Sequence, residues 1–482
     1  MTLLRVAFRT LGCKLNQLET ESVADAFSGA GAAIRPFDEA ADLYVINTCT
    51  VTSKAEQKAR RVMRQALAAN PDAVVLVTGC YAQMDPEGLA LVQPRTIVVP
   101  GEEKAALLSL AAWLQENWQG HGDLLNAVAE WRQTLEPAAG GLSRPDPFAY
   151  HPLTFAFHSR PSLKIQDGCD NRCAYCRVCL ARGPSVSLPA ERLLERVREL
   201  ERSGKAEVVL TGINLAQYRD GALRFPGLLS YLTANTERIR FRISSWEPEH
   251  VDADFLEAFA HPRVQPHVHL SVQSGSSAVL RRMARPYTAE RVLEAIAALR
   301  AAKADPFIAS DLIAGFPGET DAEFAETLDF CARADFAWIH AFPFSARPGT
   351  RAWDMRPRVP ERVAGERVAA LSAIARAGKA RYIARWIGAP IELVLERGEA
   401  GDDADEVESG TARVPEKPHP ADGKRDGLSV GTTANYLKAG IDGAPETFGA
   451  GDIVTVILEK ASSTAGLDAC GRYSDSGNHQ LR

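Results

Sequence analysis

No run in this 482-residue chain approaches the ~20 consecutive apolar residues of a membrane-crossing helix, which excludes a helical span. An export signal is not expected either. Arg5 and Arg9 interrupt the apolar N-terminus, where a signal peptide would keep an unbroken core. The cytoplasm is therefore the expected compartment. No internal repeat is visible. Apolar residues are not scarce: 46% hydrophobic against 24% charged excludes a chain disordered throughout. At roughly 150 residues per domain, the length predicts about three domains.

Positive charge is not in excess. Lys and Arg number 55 against 61 Asp and Glu, a net of −6, unlike a basic nucleic-acid coat protein. The balance is uneven. Residues 386–482 hold 9 basic and 17 acidic residues, a net of −8, which leaves +2 for residues 1–385. An even cysteine count is missing too. Nine cysteines in a large chain without an export signal do not suggest a disulfide framework, and metal or redox chemistry becomes the better expectation. The plain alternative is that most are small buried hydrophobes.

Short apolar runs at 4–12, 43–48, 73–79 and 95–99 read as buried strands. Helical stretches near 17–30 and 53–69 alternate with them, which implies a parallel sheet with crossover helices. Residues 1–118 thus form an expected α/β domain. Gly and Pro punctuate 119–160, an expected linker. From 161 to 385 strands are expected at 162–166, 207–211, 239–244, 267–273, 307–313 and 338–344. Helices between them lie near 189–203, 288–303 and 321–334. Six such repeats predict a partial β/α barrel, whose ligands sit at the carboxyl ends of the strands. A long helix near 360–387 ends that unit. Residues 386–460 read as a small β-barrel, with strands at 391–396, 435–441 and 452–457 and an acidic insertion at 398–427. Residues 461–482 are expected as a flexible tail.

The sharpest motif is Gln166-Asp-Gly-Cys169-Asp-Asn-Arg-Cys173-Ala-Tyr-Cys176. Three cysteines spaced C-x3-C-x2-C on one loop after a strand can hold three irons of a 4Fe-4S cluster, leaving the fourth iron open. Structural zinc or buried thiols are the alternatives. Tyr175, just before the last cysteine, strengthens the match. These residues resemble the radical S-adenosylmethionine (SAM) superfamily. The resemblance implies that SAM chelates the open iron and is cleaved to a 5′-deoxyadenosyl radical. It also implies cofactor contacts at the strand ends: Gly212 and Asn214 after the second strand, Ser245 after the third, Gln273 after the fourth and Ile313 on the fifth. Cys179 repeats the C-x2-C spacing and is expected to be a bystander.

Cys13, Cys49 and Cys80 share no local motif, but each terminates an expected parallel strand. Neighbouring strand ends lie roughly 5 Å apart on one sheet edge. Three thiolates there would converge on a second cluster, with Gly12 and Gly79 allowing close backbone approach. Buried cysteines at strand ends are the alternative. This two-cluster layout resembles the methylthiotransferases over nearly the whole chain. The family implies an N-terminal domain with three cluster cysteines (Cys13, Cys49, Cys80), a radical SAM domain with three more (Cys169, Cys173, Cys176) and a C-terminal TRAM β-barrel. The stretch Gly431–Lys438 looks like the TRAM core strand.

Gly12-Cys-Lys-Leu-Asn-Gln-Leu-Glu-Thr-Glu21, Asn47-Thr-Cys-Thr-Val-Thr52, Arg242-Ile-Ser-Ser245 and Phe342-Pro-Phe-Ser345 are most similar to the MtaB-type branch. That branch implies methylthiolation of the 2 position of threonylcarbamoyladenosine at tRNA position 37. It implies two 4Fe-4S clusters, SAM, a reductant such as flavodoxin or ferredoxin, and a sulfur donor. The alternatives are isopentenyladenosine in tRNA, a ribosomal-protein aspartate, or a non-catalytic iron–sulfur RNA-binding sensor. Two departures stand out. Arg177-Val-Cys-Leu-Ala-Arg-Gly183 replaces the family's Ile-Ile-Pro-aromatic-Ala-Arg-Gly, and the TRAM-like tail is acidic.

A tRNA substrate needs cationic phosphate contacts. Lys54, Lys58 and Arg61 fall on one helical face, which reads equally as a solvated face. Arg282, Arg285 and Tyr287 follow the fourth strand and are expected to meet the anticodon loop, with Tyr287 as a stacking surface. His267 and His269 share one strand face and are expected to pack inside the barrel. With the acidic excess confined to the tail, tRNA contacts are expected from the first two domains.

Overall fold

The computed structural model describes residues 3–135, 146–152, 160–396, 424–425, 428–445, 447–464 and 466–474. Strands Arg5–Thr10, Leu43–Thr48 and Val74–Gly79 are buried along nearly every residue, as strands covered on both faces must be. Short edge strands Ala33–Arg35 and Thr96–Val98 complete a five-stranded sheet. All its pairings are parallel. The spatial order is 33–35, 5–10, 43–48, 74–79, 96–98. Helices Lys14–Gly29 and Ser53–Ala69 are crossovers and bury apolar faces on opposite sides of it.

The expected linker at 119–160 is corrected in part. It contains a helix, Leu124–Thr134, capped by Asp123, which accepts from the Leu125 N–H at 3.1 Å. Leu124, Ala127, Val128 and Trp131 enter the core of the first sheet. Their spacing of i, i+3, i+4, i+7 marks one helical face, and the surrounding Gly and Pro masked it.

Six parallel strands then follow in chain order around an arc: Ser162–Lys164, Glu207–Thr211, Arg240–Ile243, His267–Gln273, Phe307–Ala314 and Trp338–Pro343. They form two three-stranded ladders. Parallel bridges Phe241–Val264 and Trp246–Leu270 join the ladders. Helices such as Ala190–Arg202, Ala289–Ala302 and Asp321–Ala334 cover the outside and share one apolar core with the strands. This is the partial six-stranded β/α barrel that the alternation predicts. Helix Glu361–Trp386 closes the unit.

The C-terminal strands Pro390–Leu395, Leu428–Thr433, Lys438–Asp442, Ile453–Ala461 and Ala469–Tyr473 form a small barrel. It closes where Leu393 to Leu395 pair with Gly431 to Thr433. Two expectations are corrected here. Gly431–Lys438 is not one strand: the chain turns back between Thr433 and Lys438, with Tyr436 at φ 70°. The tail is not wholly outside the fold, because Ala469–Tyr473 pairs with both Lys438–Asp442 and Ile453–Ala461. Apart from Lys424–Arg425, most of the acidic insertion lies outside the described residues, as do 475–482. No helix among the described residues is long and apolar enough to cross a membrane.

Trp131 is 1% exposed. Trp131→Ala is therefore expected to cost about 3–5 kcal/mol of stability through cavity formation. A urea midpoint shift at constant slope would report it; a neutral effect would mean the helix is a surface appendage.

Candidate active site

Cys13, Cys49 and Cys80 each follow a strand, and those strands are adjacent in the first sheet. They therefore emerge on one edge. Gly12 (φ 112°) lies against the second cysteine: a Cβ there would sit 3.1 Å from Cys49 Sγ. At Gly79 (φ 97°) a Cβ would run into Thr48 O at 2.4 Å. Only glycine fits either place. Asn16 then ties two of the loops together. Its Nδ2 donates to Leu11 O at 2.8 Å and Thr48 O at 3.2 Å, carbonyls beside Gly12 and Cys49. Asn47 Nδ2 donates back to Asn16 O at 3.0 Å.

The second set sits on the loop after the first barrel strand. Gly168 (φ 71°) makes the turn, where a Cβ would meet Pro184 O at 2.0 Å. Each sulfur of this set faces a donor: Asn214 Nδ2 to Cys169 Sγ at 3.9 Å, Arg285 Nη1 to Cys173 Sγ at 3.2 Å, and the Val178 N–H to Cys176 Sγ at 3.4 Å. In the first set, the Val51 N–H points at Cys49 Sγ at 3.5 Å. All nine cysteines are free. Cys179 stays close enough to Cys176 to push its thiol up slightly.

These residues fit iron–sulfur clusters. Donors aimed at sulfur favour thiolate, the ligating form. Burial, helped by the neighbouring thiols, works the other way, and Cys49 and Cys176 are pushed up to about 12. A bound cation is what reverses that balance. Among the described residues no three donors are placed to share one metal ion. A cluster asks for something else, since each thiolate binds a different iron.

The strand ends around the second set also fit a polar small molecule. Asn214 Oδ1, Ser244 Oγ and Ser276 Oγ are buried without a partner, a cost of ~1–3 kcal/mol each that a bound ligand removes. Gly212 lies so close to Gln166 that a Cβ would sit 2.9 Å from its Oε1, and the same Oε1 accepts from the Asn214 N–H at 2.8 Å. Ser245 is half-buried at the end of the third strand, and Gln273 takes φ 73° at the end of the fourth. Tyr175 and Ile313 pack against a common cluster with Phe316. Burial pushes the Tyr175 phenol well above its usual range.

A buried carboxylate and a half-buried one join the units that carry the cysteines. Glu19, on the helix after Cys13, is 1% exposed. It accepts from Lys104, from Lys164 Nζ at 3.0 Å and from Arg182 Nη1 at 3.2 Å. Arg182 and Lys164 also pair with Asp167, at 2.9 and 2.5 Å. Arg182 further donates to Asn16 Oδ1 at 2.7 Å. Burial pushes the Glu19 carboxyl up, but Arg182, Lys104 and Lys164 override it and hold it well below the usual range. The second carboxylate is Glu56. It takes Thr50 Oγ1 at 2.6 Å, Arg177 Nη1 at 3.3 Å and Arg347. Thr50 follows Cys49 and Arg177 follows Cys176, so one residue links the two cysteine loops. Arg177 is the position where the sequence departs from the family's isoleucine.

The expected anticodon contact at 282–287 is corrected. Arg285 and Tyr287 are buried, at 7% and 6% exposure. Arg285 pairs with Glu247 and donates to the Tyr287 hydroxyl at 2.7 Å, which in turn donates to Ser271 O at 2.6 Å. Arg282 is held bidentate by Glu323 at 2.8 and 2.9 Å. A side chain so buried offers no face to a base. Lys54 and Arg61 are exposed on helix Ser53–Ala69, and Lys58 is half-exposed. Sequence reasoning missed another cationic strip. Arg351, Arg356 and Arg358 are exposed around Trp353, itself 41% exposed and 5.7 Å from the Arg358 guanidinium. The strip rests on the second cysteine loop: the Ala352 N–H donates to Ala174 O at 2.7 Å, and Arg351 Nη2 to Arg172 O at 3.0 Å. Its signal was an aromatic among arginines.

His267 and His269 lie on the inner face of the barrel. Burial, with Arg242 and Lys14, holds the His267 imidazole well below its usual range. Burial also pulls His269 down, but Asp311 at 3.0 Å overrides it and the net shift is upward.

Known proteins place this geometry. The Radical SAM superfamily matches residues 163–331, and the family described as "Uncharacterized protein family UPF0004" matches residues 5–101. A threonylcarbamoyladenosine tRNA methylthiotransferase MtaB from Treponema pallidum (strain Nichols) is 44% identical over 441 residues, 82% of this chain and 92% of the relative. The chain belongs to the MtaB family of methylthiotransferases. The MtaB of Bacillus subtilis (strain 168) is 35% identical over 463 residues, 95% of this chain and 94% of its own. Among solved structures, the radical SAM methyltransferase TsrM of Kitasatospora setae, with cobalamin and a 4Fe-4S cluster bound, matches at TM-score 0.48 and 15% identity. It covers 73% of this chain and 77% of TsrM. As a member of the MtaB family the chain is a radical SAM enzyme that works with two 4Fe-4S clusters and SAM.

Asn16→Ala removes the tie between the Cys13 and Cys49 loops. Reconstituted iron is expected to fall from about eight to about four per chain, the content of one cluster. Iron and sulfide analysis measures it, and full loading would show that Asn16 does not shape the first set.

Proposed function

We propose that this enzyme converts threonylcarbamoyladenosine at tRNA position 37 to its 2-methylthio form. The observation that carries this reading is the pairing of two three-cysteine sets, held across Glu19 and Glu56, in a chain that aligns almost end to end with MtaB proteins. Cys13, Cys49 and Cys80 would hold the auxiliary cluster. Cys169, Cys173 and Cys176 would hold the radical cluster, with SAM against Asn214, Ser245, Gln273 and Ile313. When bound, these groups supply the radical that activates an unreactive carbon–hydrogen bond and the sulfur that is methylated and transferred.

The chain's own part is to bind, orient and keep water out. Tyr175, Ile313 and Phe316 shield the radical side with apolar surface. Met283 O fixes the loop by accepting from the Ala174 N–H at 2.9 Å. Glu56 and Arg177 keep the cysteine loops in register, so that the groups they carry meet one substrate. An enzyme holding its reactants this way converts encounter into effectively intramolecular chemistry.

In the proposed division of labour, residues 1–118 carry the auxiliary cluster and 161–385 the radical chemistry. The β-barrel from 386 onward is an accessory to both. Lys54, Lys58 and Arg61, together with Arg351, Arg356 and Arg358, grip tRNA phosphates near the anticodon loop, while Trp353 offers an exposed ring for a base. Turnover draws on an external reductant such as flavodoxin or ferredoxin and on a sulfur donor, and it takes place in the cytoplasm.

Mass spectrometry of tRNA nucleosides tests the reading. Deleting the gene is expected to abolish the 2-methylthio form of threonylcarbamoyladenosine and leave its precursor. Loss of a methylthio isopentenyl species instead would sink it. The triple variant R351A/R356A/R358A is expected to lower the salt slope of tRNA binding by about 2–3, at roughly 0.7–0.9 per lost phosphate contact. Anisotropy titrations across salt concentrations would show it, and an unchanged slope would move the contact elsewhere.

A further inference from the structure

We propose that Lys14 binds the free carboxylate of the substrate's threonyl group. The proposal rests on the functional reading above and names the residue that reads the substrate.

Lys14 is the first residue of helix Lys14–Gly29 and immediately follows Cys13. Its main chain is therefore fixed at the auxiliary cysteine set. Its half-buried side chain turns toward the inner face of the barrel, where Nζ lies 5.6 Å over the Tyr436 ring. From there its charge is felt by His267, His269 and His340 on three barrel-facing positions.

Charge accounting in this interior singles Lys14 out. Arg242 is matched by Glu207 at 2.7 Å, Arg160 by Glu396 at 3.1 Å, and His269 by Asp311 at 3.0 Å. Among the described residues no carboxylate pairs with Lys14. Its hydrogen-bond partner is the Tyr436 phenol, which Lys14, Arg160 and Arg242 pull down to about 7 against the effect of burial. A single phenol facing three cations balances the half-buried ammonium only in part, and an anionic ligand group completes the balance. Threonylcarbamoyladenosine brings one carboxylate; isopentenyladenosine brings none. A site built to pair a charged group rejects an analogue that lacks it far better than an apolar pocket rejects an extra group. Lys14 is thus placed to read the modification while the neighbouring Cys13 serves the chemistry.

The test uses the reconstituted full chain and two synthetic anticodon stem-loops. One carries threonylcarbamoyladenosine, the other its carboxylate methyl ester. The ratio of their dissociation constants is internal to each protein and needs no turnover, so altered cluster loading in a variant leaves it readable. The wild-type protein is expected to prefer the acid by roughly tenfold to a hundredfold, the scale of one charge-assisted hydrogen bond. Lys14→Gln is expected to bring the ratio near one, and Lys14→Arg to restore most of it. Equal binding of acid and ester by the wild type, or an undiminished ratio in Lys14→Gln, would overturn the proposal. Methylthiolation of an isopentenyladenosine stem-loop, with none of the acid, marks failure of the functional reading instead, and the Lys14 assignment falls with it. Methylthiolation of the acid with an unchanged ratio in Lys14→Gln isolates the failure to Lys14.

Discussion

The buried carboxylate of Glu19 is the constraint on which the arrangement depends. It lies on the helix that starts after Cys13, yet it is gripped by Lys164 of the first barrel strand and by Arg182, six residues past Cys176. Removing a charge from water costs several kcal/mol, so a buried carboxylate keeps its place only while its cations do. Sliding the first sheet against the barrel would strand Glu19, Lys164 and Arg182 together. Such a network contributes little net stability, and its value here is registry: it fixes how the two cysteine loops face each other. Glu56 repeats the device closer to the cysteines, and Arg177 fits it because a guanidinium reaches both Thr50 and Glu56.

Burial of the thiols sets a second constraint. Cys49 and Cys176 are too deeply placed to ionise on their own. Nearby N–H groups and Arg285 are oriented for thiolate, but metal charge completes the balance. Loading of iron and settling of these loops are therefore one coupled process. The glycines at 12, 79 and 168 belong to the same logic, because a side chain at any of them would occupy space that backbone or sulfur already fills.

The features legible in the sequence were those written locally. Continuous apolar runs marked the three central strands of the first sheet, and a cysteine after each run marked the site edge. The triplet at 169–176 needed only its spacing, and the six barrel repeats only their alternation. What stayed hidden was written across distance. Arg285 looked like a free cation because its partner Glu247 lies 38 residues away, and Glu19 meets Lys164 across 145 residues. The strand Ala33–Arg35 is too short to announce itself, and Ala469–Tyr473 carries Cys, Gly and Arg in place of an apolar run. Gly431–Lys438 read as a single strand because its β-branched residues outweighed the Ala434–Asn435 turn. The helix at 124–134 was hidden by its surroundings.

That turn has a consequence for the chamber as a whole. The Tyr436 ring lies tilted against His267, centroids 4.1 Å apart, and Arg242 donates to Thr433 O and Ala434 O at 3.3 and 3.1 Å. The small C-terminal barrel thus packs this turn against the third and fourth strands of the larger one, within reach of Lys14 beside Cys13. A ribosome emits this turn after all six cysteines. Until it emerges, His267 lacks the Tyr436 ring and Arg242 lacks two of its carbonyl acceptors. The inner face of the larger barrel is in this way finished by a module that follows it in the chain.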